Sequence, residues 1–85
     1  MSKYAVQLSP AARRQLKRIP TPMVRRIKEA IDLLAEDPRP QGYKKLVYYT
    51  EYFRYRVGNY RIIYQIADDV LIVTVVEIID RRDAY

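Results

Sequence analysis

Apolar and polar positions divide the chain into a short alternating stretch, two helical stripes and a strand-rich second half. Tyr4-Ala5-Val6-Gln7-Leu8 alternates well enough to predict a first strand. Ser9-Pro10 then supplies an N-cap and a proline at the first helical position, where the missing N–H costs nothing. Ala12, Leu16 and Ile19 mark one face of the helix that follows, and Pro20 stops it. Thr21-Pro22 repeats the start signal. Met23, Ile27, Ala30, Ile31 and Leu34 trace the second stripe, with Arg25, Arg26 and Lys28 elsewhere on the circumference. Only a proline and a cap separate the two helices, which predicts a helical hairpin. Asp37-Pro38-Arg39-Pro40-Gln41-Gly42 reads as a loop too short to link domains.

From Leu46 onward the pattern is that of strands. Phe53, Tyr55 and Val57 share one face of the first, and Tyr60, Ile62 and Tyr64 face the same way on the second. Gly58-Asn59 between them is a two-residue hairpin turn. Asp68-Asp69 suggests a further turn. Val70 to Ile79 is apolar on both faces apart from Thr74 and Glu77, as expected of an interior strand. The order is β-α-α-β-β-β. It predicts an α+β fold, one domain over residues 1–85, with the helical hairpin on one face of a small, mainly antiparallel four-stranded sheet. The expected core is Leu16, Ile27, Ile31, Leu34, Phe53, Tyr55, Ile62, Tyr64, Val73 and Val75.

The reverse face of the hairpin changes the picture. The two-residue turn makes Arg56 the direct partner of Arg61, and Arg54 lies two residues along on the same face. Like charges opposite one another destabilise a sheet, so an anion between them is the natural resolution, and the planar guanidinium suits a phosphate. The ordinary alternative is a solvated charged surface. The chain carries a net charge of +6, unevenly spread. Residues 1–61 hold 14 Lys/Arg against 5 Asp/Glu, whereas residues 62–85 hold 2 against 5. Such a basic surface favours nucleic acid or an acidic protein. Cysteine and histidine are absent, and Ser2 and Ser9 are the only serines. Thiolate and imidazole metal sites, disulfides and a Ser-His-Asp triad are excluded on composition. No run approaches the ~20 apolar residues of a bilayer span, and Met1-Ser2-Lys3-Tyr4 lacks a signal-peptide core, so a soluble cytoplasmic chain with no membrane partner is expected. Most of the nine tyrosines suit core or half-buried positions, but Tyr85 belongs to no apolar repeat and follows two arginines, as a residue that stacks on a base would.

Several stretches resemble the RelE/ParE superfamily of small toxins from type II toxin–antitoxin pairs. They are Lys45-Leu46, the run from Tyr52 to Tyr64, and Arg81-Arg82-Asp83-Ala84-Tyr85, in the element order given above. The resemblance is greater to the RelE-like branch, whose members cleave mRNA in the ribosomal A site, than to the ParE branch, which inhibits DNA gyrase. It implies an endoribonuclease (an mRNA interferase) that needs no cofactor or metal. Attack by an RNA 2′-OH on the adjacent phosphate would leave a 2′,3′-cyclic phosphate and a 5′-OH. The family pattern places Arg54, Arg56, Arg61, Arg81 and Tyr85 in catalytic positions, and Lys44, Lys45 and Arg82 are candidate RNA or phosphate ligands. It also implies a cognate acidic, RelB-like antitoxin, with the ribosome and A-site mRNA as further partners. A gyrase inhibitor without chemistry, or an inactive RNA-binding relative, would fit the same charge. Three positions depart from the pattern. Asp80 stands where relatives often have histidine, Arg54 replaces a lysine, and Tyr48 replaces a glycine. A guanidinium is a poor base at neutral pH, so phosphate binding is a firmer expectation for Arg54 than proton transfer.

Overall fold

The computed structural model describes residues 3–48 and 51–84. The elements are β1 (Ala5–Leu8), α1 (Pro10–Arg18), α2 (Thr21–Glu36), β2 (Lys44–Lys45), β3 (Phe53–Val57), β4 (Tyr60–Ala67), β5 (Ile72–Asp80) and a closing 3-10 turn, Arg81–Ala84. They form one five-stranded sheet in the order β1-β5-β4-β3-β2, with β1 parallel to β5 and all other pairs antiparallel. The fold is α+β, as expected, but the sheet has one strand more than the pattern predicted. The extra strand is the two-residue β2, which pairs Lys44 with Arg54 and Lys45 with Phe53. Two lysines carry no hydrophobic alternation, so only the pairing reveals them.

Ser9 caps α1 as expected, its side chain accepting from the Ala12 N–H at 3.0 Å. Ile19, just before Pro20, is extended and ends the helix. The start of α2 differs from the expectation. Thr21 is already helical, and Pro20 is the cap, its carbonyl accepting from the N–H groups of Met23 and Val24 at 3.0 Å each. A proline with fixed φ and an extended ψ thus terminates one helix and begins the next. The last turn also differs, because β5 begins at Ile72 rather than Val70. Asp68 to Leu71 form the turn, where Leu71 adopts φ 55° and both Val70 and Leu71 are exposed.

The helices cover one face of the sheet. Ile27, Leu34, Ile62, Tyr64, Val73 and Val75 are fully buried between the layers, and Ile31 nearly so. Leu16, Phe53 and Tyr55 are half-buried and pack against this cluster. Burying Tyr64 brings its hydroxyl to the Pro38 carbonyl, to which it donates at 2.7 Å, and burial pushes its phenol pKa up. The 37–42 loop is therefore tied to the middle of the sheet. A second tie lies at the surface, where Arg39 Nη2 meets Asp68 Oδ2 at 2.8 Å and the Tyr4 hydroxyl donates to Asp68 Oδ1 at 2.6 Å. These hydrogen bonds, from Arg39 first and Tyr4 second, hold the Asp68 carboxyl down at about 2.

Leu34→Ala is expected to cost about 2–5 kcal/mol in denaturant unfolding, because it opens a cavity between fully packed layers. The Asp68 pKa is lower folded than unfolded, so its stabilisation is present above the ordinary value of 3.8 and fades as pH falls toward about 2. Asp68→Asn should flatten that part of the stability–pH curve. An unchanged curve between pH 4 and 2 would remove the Arg39–Asp68–Tyr4 cluster from the acid response.

Candidate functional site

The site is built by the β3–β4 hairpin. Gly58 sits at φ 58°, in the left-handed region, at the first position of the Gly58-Asn59 turn. Val57 pairs with Tyr60, and Arg56 therefore pairs with Arg61. In a two-residue hairpin the pair next to the closing pair is the non-hydrogen-bonded kind, with Cα atoms about 4.5 Å apart, so the two guanidinium stems start unusually close. The next pair on this face joins Arg54 to Ile63, and Lys44 lies opposite Arg54 on its other side. Lys44, Arg54, Arg56 and Arg61 thus share the face that the helices leave open. Arg56 and Lys44 are exposed, while Arg54 and Arg61 are half-buried. The Nε of Arg61 is itself buried, which limits the rotamers available to that charge.

The other candidates are placed differently. Lys45 pairs with Phe53 and so belongs to the helix-bearing side, because side chains alternate across the sheet. It does not join the arginine cluster. Arg81 is exposed and begins the 3-10 turn, with its N–H donating to the Asn59 carbonyl at 2.6 Å. That bond docks the end of β5 against the hairpin turn, beside the Arg56–Arg61 pair. Arg82 turns to Asp80. Its Nη2 lies 2.8 Å from Asp80 Oδ2, and its own N–H donates to Asp80 Oδ1 at 3.0 Å. These bonds, side chain first, lower the Asp80 carboxyl pKa. Asp80 pairs with Tyr60 on the helix-bearing side, so Arg82 is drawn away from the open face. Tyr85 lies outside the described residues.

One strand residue on the open face is not among the expected site residues. Glu77 pairs with Ile63, next to Arg54. A bulge puts it there: Ile63 pairs with Glu77 while Tyr64 pairs with Val75, leaving Val76 as the extra residue. The run Val70 to Ile79 is apolar on both sides of the pleat, and no alternation marks the slip.

This arrangement can hold polyanionic chain along the hairpin. The sequence matches the family described as ParE toxin of type II toxin–antitoxin system, parDE, over residues 6–85. The chain belongs to the ParE toxin family. Solved structures agree. The toxin–antitoxin complex RelBE2 from Mycobacterium tuberculosis contains a chain 27% identical to this one, matching over 93% of this chain and 99% of that chain with a TM-score of 0.83. The archaeal RelE–RelB complex from Pyrococcus horikoshii contains one 25% identical, over 93% and 96%, at 0.82. The isolated RelE toxin of E. coli, 19% identical over 91% of this chain and 83% of that chain, shares the fold at 0.79. No curated protein sequence matches. The ParE-family assignment and the RelE-like fold together place the chain among the toxins of the RelE/ParE superfamily.

The turn is the point on which this toxin's cationic face depends. A Cβ added at Gly58 would lie 2.9 Å from Met23 Cε, which a flexible methionine end can relieve, but the positive φ would remain. Gly58→Ala is therefore expected to cost about 1–2 kcal/mol, the usual penalty for an L-residue held in the left-handed region. Thermal or urea unfolding checks it, and wild-type stability in the variant would contradict the turn geometry.

Proposed function

We propose that the open face binds mRNA phosphates and that this toxin is a ribosome-dependent endoribonuclease. The carrying observation is the shared register of Lys44, Arg54, Arg56 and Arg61 on one uncovered face. In this reading the scissile phosphate lies over the Arg56–Arg61 pair. The 2′-oxygen gives up its proton and attacks phosphorus, the 5′-oxygen leaves and takes a proton up, and the products are a 2′,3′-cyclic phosphate and a 5′-OH. The paired guanidiniums stabilise the charge that develops on the phosphorane oxygens, where fixed donors are worth most. Arg54 and Lys44 hold the neighbouring phosphate and restrain the nucleotide. Arg81, docked beside the turn, adds a third cation at that end. Tyr85 stacks on or orients a base.

The same reading gives the chain a cytoplasmic site of action and an acidic, RelB-like antitoxin. The +6 charge suits such a partner, and the M. tuberculosis and P. horikoshii chains are found in RelBE2 and RelE–RelB complexes. A second reading follows the ParE branch of the resemblance, since the family matched is described as ParE toxin. A ParE-type inhibitor of DNA gyrase would use the cationic face to bind protein and would need no chemistry.

Purified toxin added to ribosome-bound mRNA, to free mRNA and to a gyrase supercoiling reaction separates the two. Cleavage confined to ribosome-bound mRNA is expected. Growth arrest with intact mRNA and blocked supercoiling would favour the gyrase reading. Arg61→Ala should leave the fold intact and reduce cleavage by roughly 10²–10³-fold, the usual loss for one positioned donor at a developing negative charge. A folded variant that cleaves at the wild-type rate would refute the role of Arg61.

A further inference from the structure

One register line crosses four strands on the open face: Lys44, Arg54, Ile63 and Glu77. It reads cation, cation, apolar, carboxylate. The carboxylate end is a built feature. Helix α1 fixes the bulge that places Glu77, because the Ser9 hydroxyl donates to the Val76 carbonyl and Gln15 Oε1 accepts from the Ile78 N–H at 2.6 Å. Both backbone groups flank Glu77, so its position is held from the covered side of the sheet. Glu77 is half-buried and lines a groove of about 330 Å³ with Leu46, Tyr52, Ile63 and Val76. Neither ion pair among the described residues involves it. In a chain with 16 Lys/Arg, a carboxylate kept in an apolar groove beside a cationic row is available to a ligand.

We propose that this groove receives a nucleobase of the bound RNA and that Glu77 selects guanine. The assignment rests on the RNA-binding reading of the face. Arg54 and Glu77 are two strand spacings apart, roughly 10 Å, which is about the reach of one nucleotide from its phosphate to its Watson–Crick edge. Between them Ile63, with Leu46 and Val76, offers apolar surface to the flat of the base, and Tyr52 offers an aromatic wall. The carboxylate has acceptors only. Guanine alone presents two donors side by side, N1–H and N2–H, which match its two oxygens. Adenine and cytosine set an acceptor nitrogen beside their amino group, and uracil sets its single N–H between two carbonyls. Each of those three bases would leave one carboxylate oxygen facing an acceptor, which costs more than the lost hydrogen bond.

The test is an NMR titration of the folded chain with 3′-GMP, 3′-AMP, 3′-CMP and 3′-UMP at one ionic strength. The wild type is expected to bind 3′-GMP about tenfold more tightly than the other three, the scale of one good bidentate base contact. Glu77→Gln and Glu77→Ala should erase the preference while keeping the circular dichroism and thermal midpoint of the wild type. Arg54→Ala should weaken all four nucleotides alike. Equal binding of the four by the wild type, no binding of any, or a guanine preference that survives Glu77→Ala would overturn the proposal. Nucleotide binding requires neither ribosome nor cleavage. A Glu77-dependent guanine preference in a protein inactive on ribosome-bound mRNA would therefore uphold the groove and reject the nuclease reading.

Discussion

The pairing of Arg56 with Arg61 is the constraint around which the open face is organised. Two guanidinium groups directly opposite each other repel, and a slip of one residue would send both to the other side of the sheet. The slip does not occur because the reverse side is committed. Val57, Ile62 and Tyr64 are buried under the helices, and moving them would expose the core. The fold thus holds a like-charge pair in place with apolar burial on the opposite face. Burial of even one large side chain is worth about 1.5–3 kcal/mol, and several are buried on the committed side. A polyanion bound here, as proposed above, would meet cationic geometry already assembled.

The helices contribute to the open face without touching it. Ser9 and Gln15 reach through to the backbone on either side of Glu77, so the N-terminal helix sets the bulge that aims this carboxylate. At the other end of β5, Asp80 and Arg82 fasten the closing turn, and the Arg81 N–H docks on Asn59. The Asp80–Arg82 pair gives a physical role to an acidic residue where the family pattern often has histidine. It caps and orients the turn that carries Arg81. The apolar sandwich, the bulge and the turn therefore converge on one line of cations and one carboxylate.

Much of this was legible in the chain. Proline and serine punctuation located both helices, and alternation from Phe53 to Val57 and from Tyr60 to Ile62, across a two-residue turn, fixed which face the arginines take. The parts that were not legible have separate causes. β2 is two lysines long and is defined by its partner rather than by its own pattern. The bulge lies in a strand apolar on both faces, where a one-residue shift leaves no mark. Lys45 and Arg82 read as phosphate ligands in the sequence because a linear string shows neither the pleat nor the nearby carboxylate. Pairing across the sheet separates Lys45, and Asp80 claims Arg82. Pro20 took the cap expected of Thr21 because its own φ is fixed in a cap-compatible range.

In the proposed function the Arg56–Arg61 pair holds RNA phosphate. The salt dependence of single-stranded RNA binding by the wild-type chain and by an Arg56→Ala/Arg61→Ala variant measures this most directly. For single strands each neutralised phosphate contributes about 0.7 to the slope of log K against log salt concentration. Loss of two such contacts is expected to reduce the slope by about 1.4, with the fold unchanged. A folded double variant that binds RNA with the wild-type slope would show that the pair holds no phosphate.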